Sequence, residues 1–138
     1  MNTTTELAST YVALWNEADA DRRRALVAAL WALDGTHVLQ PPQEVRAIAA
    51  QPGIALEAVL QAQGHAAIEA RAVSVHDHWV ATEGLTFRGR DDADRLGDMV
   101  KLHWEAVAAD GTVSAVGLSL LVLAGDGRID RDYTFIVA

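Results

Sequence analysis

Near Gly84 the spacing of apolar residues changes from that of a helix to that of a strand, and this break constrains the fold more than any other feature. Upstream, Ile68, Ala72, Val75 and Trp79 fall at i, i+4, i+7 and i+11, which predicts a helix over 65–82. Downstream the period is two. The stretches 85–90, 99–108, 113–124 and 128–137 alternate as strands, separated by the acidic run Asp91-Asp92-Ala93-Asp94 and by Asp110-Gly111 and Asp126-Gly127, both strong hairpin signals. Helices first and an antiparallel meander afterwards predict an α+β fold, with helices packed on one face of a sheet.

The N-terminal half supplies more helix. Thr3 and Glu6 have the spacing of a capping box, and Leu7, Tyr11, Leu14 and Trp15 recur at helical intervals, so helix one is expected to run to about residue 18. Asp19 can cap a second helix with the stripe Leu26, Ala29, Leu30 and Leu33, stopped by Asp34-Gly35. A brief strand over 36–40 ends at Pro41-Pro42. Residues 43–63 hold two short helical patterns, Val45/Ile48/Ala49 and Ile54/Val59/Leu60, split at Pro52-Gly53, and read as a lid or insertion. With 138 residues and 51% apolar content, one domain spanning 1–138 is expected.

Charge narrows the partners. Eleven basic against nineteen acidic side chains give a net charge of −8, which repels nucleic-acid phosphates and anionic membrane surfaces. The chain has no cysteine, so disulfides, thiolate catalysis and Cys-based metal sites are excluded, and a reducing cytoplasmic location suits it. The first seventeen residues show neither a basic n-region nor an apolar h-region, so no secretory leader is expected. The apolar run at 116–124 is too short to span a bilayer as a helix. Within it, Ala115, Leu121 and Leu123 point one way and Val116, Leu118, Leu120 and Val122 the other. A strand apolar on both faces needs cover on both, which predicts a homodimer through the sheet face.

The order of elements, with Gly64-His65-Ala66-Ala67-Ile68 opening the long helix and Asp126-Gly127-Arg128-Ile129 opening the last strand, resembles the SnoaL-like members of the nuclear-transport-factor-2-like (NTF2-like) superfamily. Tyr11-Val12-Ala13-Leu14-Trp15-Asn16 through Asp19 is similar to ketosteroid isomerases at the same internal spacing. The resemblance implies a cone-shaped NTF2-like fold, its N-terminal helices packed on a curved antiparallel sheet around an apolar pocket. It places the isomerases' oxyanion-holding tyrosine on Tyr11 and their second oxyanion donor on Ser119. Their proton-abstracting aspartate falls on Gln40, whose amide cannot take a proton at neutral pH, so that mechanism is disfavoured. SnoaL-like polyketide cyclases use a pocket carboxylate without metal or cofactor, and the counterpart is Asp132.

Asp132 shares a strand face with Asp130, Thr134 and Ile136, while Ile129, Tyr133 and Phe135 take the other. Alternation alone does not decide which face looks inward; the resemblance favours Asp132. A carboxylate buried there would have a raised pKa suited to acid/base work. Trp104, on one face with Val100 and Leu102, and Trp15 would wall the pocket, and His78 would reach it. His37 reads as structural, His103 as outward-facing, and Asn16 as a brace for the turn between the first two helices. His76 and His78 point about 200° apart on a helix and cannot share a metal ion. The acidic run 91–94 lacks the glycine and distal Glu of a calcium loop. The expected activity is binding of a small apolar organic ligand, with proton transfer of the cyclase, isomerase or hydratase type on a carbonyl compound. The alternative is a non-catalytic ligand-binding or dimeric interaction domain.

Overall fold

The computed structural model describes residues 3–40 and 60–138. Helix α1, Thr4–Asn16, is capped by Thr3, whose hydroxyl accepts from the Glu6 N–H at 3.0 Å. It buries Leu7, Tyr11, Val12, Leu14 and Trp15, a single helical stripe. Asp19 caps α2, Ala20–Leu30, by accepting from the Arg22 N–H at 2.9 Å. Strand β1, Trp31–Leu39, follows without a loop. Then come β2 (Leu60–Gln63) and α3 (His65–Val75), which continues as a π-helical turn over His76–Thr82. Strands β3 (Thr86–Gly89), β4 (Asp94–Leu96), β5 (Met99–Val107), β6 (Val113–Leu123) and β7 (Ile129–Ile136) complete the fold.

The strands form one curled, unclosed sheet in the order β2-β1-β7-β6-β5-β3, with β4 also beside β5. The architecture is α+β, as the change of period implies, but the sheet is mixed: β1 lies parallel to β7, and the other pairs are antiparallel. Helix α1 packs on β3 and β5, α3 on β1 and β2, and α2 on α3. The core is shared between these layers, with Leu14, Leu30, Trp31, Ile68, Ala72, Val100, Leu121 and Ile129 sealed from solvent. No helix among the described residues is long and apolar enough to cross a membrane.

Several boundaries differ from expectation. The second helix stops at Leu30, and Leu33, assigned to its stripe, is 69% exposed on β1. Asp34-Gly35 is not a helix stop but part of an irregularity in β1, where the pairing with β7 shifts between Trp31 and Thr36. A Cβ on Gly35 would stand 2.7 Å from the Trp31 ring, so the chain folds closely over that indole only with glycine there. Leu60 belongs to β2, antiparallel to β1, rather than to a helical pattern; the patterns before it lie outside the described residues. Asp94 opens a strand instead of closing a loop. Asn16 does not brace the helical hairpin: its amide donates to the Phe87 carbonyl at 2.7 Å and accepts from the Phe87 N–H at 2.8 Å. This pair of bonds, the pattern of a missing strand residue, ties the end of α1 to β3 and sets the height of Tyr11 and Trp15 over the sheet.

Candidate functional site

Three neighbouring strands and α1 bring five polar side chains to one buried point. Register puts His37 of β1 beside Asp132 of β7, and Ser119 of β6 beside Thr134 of β7. Tyr11 comes down from α1. Its hydroxyl donates to Asp132 Oδ2 at 2.5 Å and lies 3.0 Å from Ser119 Oγ and 3.2 Å from Thr134 Oγ1. Thr134 donates to Asp132 Oδ1 at 2.8 Å, Ser119 and Thr134 are 2.8 Å apart, and the Trp104 indole N–H donates to Ser119 at 3.1 Å. His37 Nε2 stands 3.5 Å from Asp132 Oδ2, an electrostatic contact longer than a hydrogen bond. On the far side of the His37 ring, Arg71 of α3 donates to Nδ1 at 3.0 Å and to the carbonyls of His37 and Leu60 at 3.1 and 3.2 Å.

The polarity of this network has a direction. A carboxylate only accepts, and an indole N–H only donates. Protons therefore run from Trp104 to Ser119, to Thr134 and on to Asp132, with Tyr11 donating from a second side. Against this, Asp132 is 0% exposed. Burial pushes its pKa up to about 7, while the bonds from Tyr11 and Thr134 and the Arg71 charge pull it down. The result is a carboxyl group that can gain or lose a proton near neutrality. His37 moves the opposite way: burial, then the Arg71 charge, lowers it to about 3, so it is neutral in the fold. Burial and the Asp132 charge hold the Tyr11 phenol well above its ordinary value.

A cavity of about 300 Å³ opens in front of this cluster. Trp15, Trp79, Phe87 and Trp104 supply aromatic walls, and Tyr11, His37, Gln40 and Thr134 supply the polar end. Two packing features shape the walls. Phe87 meets Trp104 edge-on, with centroids 5.5 Å apart at 78°. Gly117, opposite Trp104 on β6, leaves the space in which the indole lies; a Cβ there would come within 2.0 Å of the ring. No carboxylate, lysine or arginine lines the cavity among the described residues.

The structure treats the sequence candidates differently. Tyr11, Ser119 and Asp132 are brought together, but only Tyr11 of the three lines the cavity; Asp132 lies behind the Tyr11 and Thr134 hydroxyls. Trp15, Gln40 and Trp104 line it. The amide oxygen of Gln40 is occupied, accepting from the Ile136 N–H at 2.9 Å. His78 does not reach the cavity: it is exposed on the π-helical turn, its ring edge-on to Trp79. Asp130, assigned to the face of Asp132, is exposed, while Ile129 is buried, because the β6–β7 pairing slips by one residue between Val122 and Leu123. His37, read as structural, contacts Asp132 and lines the cavity, and Arg71 and Thr134 join the cluster without being among the sequence candidates. The one sequence signal for Thr134 was its place two residues from Asp132; Arg71 had none.

Neither a protein-family model nor a curated protein matches the sequence. Solved structures do. A candidate isomerase of the SnoaL-like family from Agrobacterium tumefaciens str. C58 is 27% identical, with a TM-score of 0.77 over 100% of both chains. A protein of ketosteroid isomerase-like fold from Catenulispora acidiphila DSM 44928, in complex with trimethylamine, is 19% identical over 96% of this chain and 86% of that one, with a TM-score of 0.64. A candidate polyketide cyclase from Sinorhizobium meliloti is 15% identical over 94% of each chain, with a TM-score of 0.56.

Proposed function

We propose that this chain, by its fold a member of the SnoaL-like, NTF2-like superfamily, binds a neutral and largely apolar carbonyl compound and moves a proton on it. The observation that carries the proposal is Asp132, sealed from solvent and bonded to the hydroxyls of Tyr11 and Thr134, two residues that line an aromatic-walled cavity. A ligand oxygen at the polar end would meet Tyr11 and Thr134 first. Asp132 then acts through them. When Asp132 is protonated it can donate to Tyr11 Oη, and the Tyr11 proton passes to the ligand oxygen while a solvent water takes the α-proton, which gives the enol, an ionised Asp132 and a hydronium ion. In the reverse direction the enol oxygen returns its proton by the same route, the α-carbon takes one from hydronium, and the carboxyl group is restored. Such a relay serves isomerisation, cyclisation or hydration alike and needs no cofactor. Among the described residues the lining carries no carboxylate, lysine or arginine, which favours a neutral ligand, and about 300 Å³ admits one of a few fused or linked rings.

Deuterium exchange tests this. Cyclic ketones and enones of one to three rings, incubated with the protein in D2O, should exchange α-protons at least 100-fold faster than with Asp132→Asn or Tyr11→Phe, as followed by NMR. Equal rates with all three proteins would defeat the acid/base role. A second reading, a non-catalytic ligand carrier, draws on the full burial of Asp132, since a polar cluster can also serve only to hold strands and helix together. Ligand retained in native mass spectra without any exchange would favour it.

On the outer face of the sheet, Leu118 pairs with Phe135, Leu120 with Tyr133 and Val122 with Arg131, and Phe135 is 41% exposed. This apolar surface supports a homodimer through the sheet. Light scattering at micromolar concentration should give twice the monomer mass, and a monomer would refute it. The cysteine-free composition suits a cytoplasmic setting for this activity.

A further inference from the structure

We propose that Arg71 is a positioning residue, which locks His37 as the neutral Nε2–H tautomer and so turns that ring's proton toward the Asp132 carboxyl group. A guanidinium has donors and no acceptor, so the atom it reaches at 3.0 Å, His37 Nδ1, must present a lone pair. The ring's single proton then sits on Nε2, the nitrogen nearest Asp132. The other tautomer would set two donors against each other at Nδ1 and a lone pair against a carboxylate at Nε2. A doubly protonated ring keeps the first of these clashes. Arg71 is itself held, since the same terminal nitrogen also lies within bonding distance of the His37 and Leu60 carbonyls, its two hydrogens shared among the three acceptors. The guanidinium thus bridges β1, β2 and α3 and cannot swing away without breaking all three contacts.

This inference rests on the functional reading for its purpose, though not for its test. The titratable and charged groups facing Asp132 are Tyr11 from α1, His37 from β1 and, at longer range, Arg71 from α3. Of these, Tyr11 donates whichever way the ring is protonated. His37 is the group whose orientation of charge is open to choice, and Arg71 makes that choice. The arrangement favours the ionised carboxylate while burial opposes it, and the balance leaves a group poised between acid and base.

Long-range proton–nitrogen NMR on protein labelled at histidine reads the tautomer directly, with His37→Gln assigning the signal among the five histidines. The expected wild-type signal is neutral Nε2–H at pH 7 and still so at pH 5. In Arg71→Met the two tautomers should mix, and the carboxyl carbon of Asp132 should titrate about one unit higher. Arg71→Lys, also a pure donor, should restore the Nε2–H form. Nδ1–H in the wild type, or an Nε2–H signal unmoved by Arg71→Met, would overturn the proposal. Should Arg71→Met fail to fold, the wild-type and Arg71→Lys spectra still decide, because Nδ1–H in either one contradicts it. If the tautomer is as stated but α-proton exchange ignores Asp132→Asn, only the functional reading fails.

Discussion

Two aspartate–histidine pairs among the described residues, one inside the core and one on the surface, behave in opposite ways. Asp132 and His37 are sealed in the core, 3.5 Å apart. Asp92 and His103 lie outside, with their side chains about a third exposed, 2.5 Å apart, the Asp92 carboxylate also taking the His103 backbone N–H at 3.0 Å. The outer pair is the closer and borders the larger hollow, about 460 Å³ between α1 and the stretch 89–93. Yet there the slight burial that would raise Asp92 is outweighed by bonds from His103, and its pKa falls. In the inner pair burial wins, and Asp132 rises to about 7. What makes the buried cluster the candidate site is neither a short distance nor a large hollow but desolvation that partners only partly offset.

The sharpest break of this comparison is truncation. Asp132→Ala removes the acceptor of the Tyr11 and Thr134 hydroxyl protons and leaves a gap in the core, and it should cost about 2–4 kcal/mol in urea unfolding at pH 7. Next in size is Gly117→Ala. Neighbours on β5, Trp104 faces the cavity and His103 the outer side, paired with Gly117 and Leu118 respectively. The new methyl would displace the indole and its bond to Ser119, with a loss of about 1–3 kcal/mol and a shift in Trp fluorescence. Leu118→Ala should leave the cavity intact. If Gly117→Ala were neutral in both readouts, the view of Trp104 as a wall fixed by that glycine would fail.

Acidity separates the pairs next. The folded-state pKa of Asp132 is raised, so between about pH 4 and 7 the folded chain binds more protons than the unfolded one, and this group's stabilisation is lost as pH rises through that window. His37 is lowered from 6.5 to about 3, so the unfolded chain binds the extra proton and stability grows as pH rises through nearly the same window. The two nearly cancel in the native protein. Asp132→Asn should unmask the His37 slope, about 1.4 kcal/mol gained per pH unit between pH 4 and 6, and His37→Gln should reverse its sign. Unfolding curves with parallel pH dependence for wild type and both variants would contradict the assignment.

How much of this could be read from the chain follows from which signals are local. The period change at Gly84 marked the strands, whereas Tyr11, Ser119 and Asp132 were connected by the resemblance to ketosteroid isomerases and polyketide cyclases, since alternation left the inward face of the last strand open. Three features were not local. The α2–β1 junction runs through Leu30 and Trp31, both fully buried, and apolar content there fits helix and strand equally. The slip in the β6–β7 pairing hides Ile129 and exposes Asp130, against strict alternation. The parallel pairing of β1 with β7 joins residues 95 apart in sequence, as His37 with Asp132, and no short-range pattern announces it. Arg71, between Ala70 and Ala72 on α3, reads as a surface cation until β1 and β2 are laid beside it. His78 fails for a related reason: the π-helical turn changes the winding after Val75, so the helical wheel drawn through Ile68 and Ala72 no longer applies.

The smallest effect belongs to the outer pair. Asp92→Asn keeps the acceptor for the His103 backbone N–H and removes only a charge beside solvent, where pairing is screened and both side chains already share their hydration. Its stability should stay within about 0.5 kcal/mol of wild type, and what difference exists should vanish in 1 M salt. The α-proton exchange rate should not change. That variant is therefore the control for Asp132→Asn: the same chemical edit, made beside a histidine at closer range. A loss of exchange from Asp92→Asn comparable to that from Asp132→Asn would mean that the outer hollow, and not the buried cluster, does the work.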